Sequence, residues 1–160
     1  MTNQSWKYFV PIFAGALLVG CTVPTSGPVT ITKVNPFHLN SETQSVSAVD
    51  PMLEFEPRHL LHGAVDIQDH EDRYGHYYTV FWKSENRAPA TVRLDYRQGA
   101  TESQILSKEI EVPSPKRKNT TKFQITGDEY SSGGKVTQWK VTILEGETVV
   151  AEYKSFLWKD

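Results

Sequence analysis

Residues 136–158 read VTQWKVTILEGETVVAEYKSFLW, and this stretch decides the fold class. In its first half, the apolar residues Trp139, Val141 and Ile143 alternate with polar ones, which is the period of a β-strand with one buried face. Gly146 supplies the positive φ that a short connection between two strands requires. The stretch therefore predicts a β-hairpin.

The hairpin pairs the segments Val136–Leu144 and Thr148–Trp158. Its second strand changes parity near the end, because Phe156 and Trp158 fall on the opposite side from the preceding apolar residues. We therefore expect either a β-bulge near Lys154 or a second face of the sheet that is covered by these aromatic rings.

The same strand period recurs through residues 58–160, with segments rich in glycine, proline, aspartate, asparagine and serine between the strands. No window keeps an apolar period typical of a helix. The fold class that we predict is all-β, a seven-stranded antiparallel β-sandwich. The five further strands are Leu60–Ile67, Tyr77–Lys83, Ala90–Arg97, Ile105–Val112 and Thr121–Thr126.

In size, strand count and aromatic placement, this region resembles the immunoglobulin-like and fibronectin type III-like sandwiches. Its second predicted strand carries YYTVFW and is apolar on both faces, which indicates a central strand. If Val80 and Trp82 face the core, Tyr77 and Phe81 face outward, or the reverse. Outward aromatic rings would form a contact surface.

Composition limits the possible functions. The chain has 160 residues, one cysteine, and 17 basic against 19 acidic residues. One modest domain fits this length, a single thiol cannot build a disulfide framework, and the net charge of -2 gives no general attraction to nucleic acid.

The N-terminus has the anatomy of a signal peptide, with one lysine in Met1–Lys7 and then the 12-residue, mostly apolar segment Tyr8–Val19. The next residues, Leu18-Val19-Gly20-Cys21, resemble the bacterial lipobox. The resemblance implies a signal helix over residues 1–20, cleavage after Gly20 and a lipid on Cys21. It also implies a cell-envelope location, at the outer membrane in a diderm source because Thr22 rather than Asp follows the cysteine, with the domain facing the periplasm or the surface.

Residues 21–57 hold five of the nine prolines and many Ser, Thr and Asn residues, which predicts a flexible tether. Within it, Pro28–Val34 is β-branched, so an additional edge strand is an alternative for that piece.

Catalytic motifs such as Gly-x-Ser-x-Gly and His-Glu-x-x-His are absent from the sequence, so we predict a protein that is not an enzyme and has no cofactor. Four of the five histidines (His59, His62, His70 and His76) lie near acidic residues. Because residues three apart in a strand point to opposite faces, we expect no metal site there. The basic run Lys116-Arg117-Lys118, predicted on a loop, suits anionic headgroups, polysaccharide or an acidic partner.

These observations together predict a membrane-anchored lipoprotein that presents a binding or structural module to a protein partner of the cell envelope. The alternative is a module that binds a glycan or a small apolar ligand through exposed aromatic rings. The residues that we expect to form the binding surface are Tyr77, Tyr78, Phe81, Trp82, Lys116, Arg117 and Lys118.

Overall fold

The computed structural model describes residues 27–40, 59–101 and 104–159. The predicted signal peptide over residues 1–20, the lipid attachment residue Cys21 and most of the predicted tether lie outside these ranges. Within the ranges, no helix has the length and apolar character needed to cross a membrane.

The described residues form seven β-strands and two short helices, α1 (Ile67–Glu71) and α2 (Asp128–Gly133), with a 3-10 turn at Gly99–Thr101. The strands are β1 (Val29–Leu39), β2 (Gly75–Ser84), β3 (Ala90–Gln98), β4 (Leu106–Val112), β5 (Lys118–Thr126), β6 (Val136–Glu145) and β7 (Thr148–Lys154).

The strands form two antiparallel sheets. One has three strands in the order β1-β2-β5, and the other has four in the order β4-β3-β6-β7. Side chains from both sheets join one buried apolar cluster, which holds the two layers together. The predicted antiparallel, all-β class is therefore confirmed.

Strand periodicity places the core side chains as the sequence predicts. Val92 and Leu94 of β3 are fully buried, with the half-buried Arg93 between them, and Val141 and Ile143 of β6 are fully buried, although Thr142 between them is buried as well. In β2 the first of the two predicted orientations holds, because the inward side chains include Trp82, whose exposed fraction is 1%. Each of these strands presents its apolar side to the other sheet.

The predicted strand Leu60–Ile67 is wrong. Leu60 is helical, residues 61–63 form a turn, and Ile67 begins α1, which Asp66 caps by accepting a hydrogen bond from the Asp69 amide at 2.8 Å. Gly63, at φ 85°, further bends the chain away from an extended path.

The alternative edge strand exists and is longer than predicted. β1 pairs with β2 from Val29 to Leu39, so these residues belong to the sandwich and not to the tether, and the sandwich begins upstream of the predicted boundary at residue 58. Pro36 lies inside this strand, which β1 tolerates because it is at the edge of its sheet.

The end of the chain follows the second of the two predicted alternatives. β7 stops at Lys154, and Trp158 lies on the opposite face of the sheet, with its ring 4.7 Å from the Arg97 guanidinium and 5.0 Å from the Lys140 ammonium. No bulge occurs at Lys154 itself; the register of β6 and β7 shifts earlier, after Ile143. The strand therefore ends before the parity changes, and of the two rings only Trp158 covers the second face, because Phe156 is fully exposed.

Candidate functional site

The solvent-facing side of the three-stranded sheet, which we call the outer face, carries the candidate site. Cross-strand pairing aligns its side chains in rows, because residues in register on neighbouring strands project to the same side. The outer face consists of Thr30, Lys33, Asn35 and Phe37 from β1, Tyr77, Thr79, Phe81 and Lys83 from β2, and Lys118, Thr120, Lys122 and Gln124 from β5.

Aromatic rings line a groove of about 460 Å³ on this face. Tyr77 lines it beside Phe37 and is half-buried, with its hydroxyl donating a hydrogen bond to the Arg73 carbonyl at 2.6 Å. The Arg73 guanidinium also donates to the carbonyls of Leu60 (3.0 Å) and His62 (2.6 Å). One arginine therefore fixes the preceding segment at one end of the groove and orients the tyrosine.

A second depression of about 580 Å³ continues from the first toward the other end of the sheet. The two depressions share Asn35, Phe81 and Thr120 as lining residues, so they form a continuous surface. Phe81 lies at their junction with an exposed fraction of 37%, which is high for a phenylalanine in the middle strand of a sheet.

The charge of the outer face is entirely positive in its paired strand positions. It holds Lys33, Lys83, Lys118 and Lys122, and no acidic side chain occupies an outward position of the three strands. Lys83 and Lys118 lie directly opposite each other in the register. Like charges in that position destabilise a sheet, and no described acidic residue forms an ion pair with either lysine.

Two of the four aromatic residues predicted at the binding surface lie in the core. Tyr78 and Trp82 are 2% and 1% exposed, and the Trp82 indole donates a hydrogen bond to the Thr121 hydroxyl at 3.1 Å. Burial raises the pKa of the Tyr78 hydroxyl above its usual value of 10. For these two residues the predicted surface position is wrong, because their parity along β2 is that of Val80.

The basic run Lys116-Arg117-Lys118 does not act as one patch. Lys118 is the first residue of β5 and lies on the outer face, so it is not in the predicted loop. Arg117 approaches Glu85 at 3.6 Å, and the backbone amide of Lys116 donates to the Asn119 side chain at 2.7 Å in the turn before β5. Of the three, only Lys118 contributes to the rows of the outer face.

The histidines are dispersed in the structure. His76 is buried in β2, where the Val136 amide donates to its Nε2 at 3.1 Å and the His38 ring stacks on it at 4.2 Å. Burial lowers the pKa of His76 to about 3, with His38 and Lys135 adding to the shift. His59 lines the groove instead. Among the described residues, no group of three or more His, Cys, Asp or Glu side chains is placed to hold a metal ion.

Several residues of the outer face were not predicted from the sequence. The sequence allowed an edge strand over Pro28–Val34, which contains Lys33, but it did not predict that the strand continues to Leu39 or that its outward residues join the binding surface. Lys83 was not predicted at the binding surface, because Lys118, which lies opposite it in the sheet, is distant in sequence. The alternation of Thr120, Lys122 and Gln124 with buried residues was the one signal that pointed to this side of β5.

No protein-family model matches the chain, and no curated protein and no solved structure shows significant similarity to it. The interpretation of the site therefore depends on its geometry and charge alone. A concave surface with aromatic rings, amides, hydroxyl groups and ammonium groups has the chemistry of a binding site.

Proposed function

We propose that the protein is a cell-envelope lipoprotein, anchored through a lipid on Cys21, that presents its β-sandwich as a non-enzymatic binding module. The lipobox Leu18-Val19-Gly20-Cys21 supports the anchor, since the only cysteine of the chain stands at the position that is lipidated. In a diderm source, the destination that we propose is the outer membrane.

We further assign the domain to the immunoglobulin-like and fibronectin type III-like sandwiches. The strand order supports this assignment. The chain crosses from the three-stranded to the four-stranded sheet after β2, returns at β5 and crosses again to β6, which gives the non-sequential neighbours of a Greek-key arrangement.

The proposed partner is a protein of the envelope, and the observation that carries this proposal is the apolar edge of the four-stranded sheet. β7 is the last strand of that sheet, and its Val149 and Tyr153 are exposed, as are Phe156 and Leu157 in the turn that follows. Exposed apolar side chains beside a strand edge that no other described strand pairs with suit the addition of a partner strand.

The anchor and the partner are tested separately. Cys21→Ala is expected to yield an unprocessed precursor or to release the protein from membranes; a variant that still fractionates with membranes at the mature mass contradicts the anchor. For the partner, a photo-crosslinking residue is placed at Tyr153, with Glu109 on β4 at the opposite edge as the control. In intact cells, one defined protein adduct is expected at Tyr153 alone, and equal labelling at both positions contradicts the proposal.

The second candidate function is the binding of a glycan or a small apolar ligand on the outer face. A specific observation favours it: Tyr77 and Phe81 project from the same side of β2 into adjoining depressions. This surface is on a different sheet from the β7 edge, so the two functions are compatible.

A further inference from the structure

We propose that the outer face binds an acidic oligosaccharide, a chain of sugar rings that carry carboxylate groups. This inference rests on the second candidate function and names its ligand. Three properties of the outer face support it: its dimensions, the kinds of side chain it presents, and the positive charge of its described strand positions.

The dimensions suit a narrow, extended ligand. Three strands span about 14 Å, and the distance along β2 from Tyr77 to Lys83 is about 20 Å, so the face covers on the order of 300 Å². A stable interface with a folded protein needs about 800 Å² on each partner. The two depressions of about 460 and 580 Å³ on this narrow face are in the range of ligand sites.

The side chains match a polyhydroxylated ring. Phe81 offers a partly exposed aromatic face at the junction of the depressions, and apolar contact with a ring supplies binding energy without hydrogen bonds. Asn35 and Gln124 flank the groove with amide groups that both donate and accept, and Thr79 and Thr120 add hydroxyl groups. The hydroxyl groups of a sugar both donate and accept hydrogen bonds, and these side chains offer donors and acceptors.

The positive charge selects an anionic ligand. Lys83 and Lys118 are held opposite each other with no acidic residue among the outward strand positions to offset their repulsion. A carboxylate placed between the two ammonium groups removes that repulsion and forms ion pairs with both. Lys33, beside Phe81, and Lys122, beside Thr79, extend the same charge along the face, so successive acidic rings would meet successive lysines.

The shape of the surface disfavours two other anions. Peptides that bind a sheet by strand addition use a free strand edge, whereas the outer face presents side chains and not the backbone. An anionic bilayer is broad and flat and does not enter a concave groove. Both are retained as outcomes of the test.

The test measures binding of the full chain, purified in a neutral detergent, by calorimetry. The probes are an oligomer of galacturonic acid, a neutral glucose oligomer of equal length, hexaglutamate and vesicles with phosphatidylglycerol. The variants are Phe81→Ala and the double variant Lys83→Gln with Lys118→Gln. The matched control is Lys135→Gln with Lys159→Gln, which removes two exposed lysines outside the outer face.

The galacturonate oligomer is expected to bind most tightly and to weaken as salt increases. The double lysine variant is expected to bind about tenfold more weakly with a shallower salt dependence, while the control variant binds as the parent does. Phe81→Ala is expected to weaken binding at least about fivefold with the salt dependence unchanged. Circular dichroism melting of each variant verifies that the fold is intact.

Four results overturn the inference. They are equal binding of the neutral oligomer, equal binding of hexaglutamate, binding of vesicles without binding of the galacturonate oligomer, and no effect of either outer-face variant. If the oligosaccharide does not bind, the proposed anchor and protein partner are not contradicted. They are tested by membrane fractionation of Cys21→Ala and by crosslinking at Tyr153, which concern other parts of the chain.

Discussion

Acidification is expected to destabilise the domain through His76, which joins β2 to β6. The imidazole is buried and accepts the Val136 amide at Nε2, so protonation there breaks that hydrogen bond and places a charge in the core. His38 and Lys135 lie close enough to oppose the charge as well. His76 therefore binds a proton more weakly in the folded protein than in the unfolded chain.

The magnitude follows from the shift. The pKa of His76 is lowered from 6.5 to about 3 in the folded protein. Because the folded pKa is the lower one, the unfolded state binds more protons between these values, and the contribution of the neutral imidazole is fully present above pH 6.5 and is lost as the pH falls below it. The slope is about 1.4 kcal/mol per pH unit, so from pH 7.5 to pH 4.5 the loss is about 2.5 to 3 kcal/mol.

The assay is urea unfolding at pH 7.5 and 4.5, followed by tryptophan fluorescence, on the parent and on His76→Gln. The glutamine oxygen can accept the Val136 amide but does not titrate. We expect the variant to be about 1 to 2 kcal/mol less stable than the parent at pH 7.5. It should then lose about 2.5 to 3 kcal/mol less than the parent on acidification. His62→Gln, which removes an exposed histidine, is the control. A parent-to-variant difference that is the same at both pH values refutes the reasoning.

Two further predictions concern stability and are checked by thermal and urea unfolding. Gly75→Ala places a methyl carbon 2.1 Å from the Ile125 carbonyl oxygen and is expected to cost about 3 kcal/mol, against about 1 kcal/mol for Gly146→Ala, which has positive φ but open space. Trp158→Ala is expected to cost about 2 to 3 kcal/mol and Phe156→Ala less than about 0.5, because only the first ring is buried. Equal losses within either pair contradict these assignments.

The strands were predictable wherever the alternation of neighbouring residues determines them. In β3 and β5 each apolar residue is followed by a more polar one, as are Trp139 and Val141 of β6, and a one-residue shift of register would turn the apolar set toward water. Their positions therefore follow from the sequence without knowledge of the partners. The predicted connection around Gly146, at φ 60°, is likewise a property of a few consecutive residues.

The predictions failed at two segments for different reasons. Leu60–Ile67 contains enough apolar residues for a strand, but the capping by Asp66 and the contacts from Arg73 fix it as turns and a helix. Beyond Val34, β1 continues through Pro36 only because β2 offers hydrogen-bonding partners along one side. The cap at Asp66 is a local signal that the strand prediction overlooked, whereas the pairing of β1 with β2 is not visible in a short window of sequence.

The outer face shows why a binding surface on a sheet is hard to read from adjacent residues. The run Lys116-Arg117-Lys118 forms a cluster in sequence, yet only one of its members joins the face, because neighbouring residues in a strand point to opposite sides. The charge of a face has to be counted at every second residue and then across strands. Counted in that way, the outward positions of β5 hold Lys118 and Lys122, and its inward positions hold no charged residue. Lys83 and Lys33 join the face only because β2 and β1, which are distant from β5 in sequence, lie beside it in the sheet. The positive face thus arises from strand register, and a one-residue slip of β5 would turn both of its lysines toward the core.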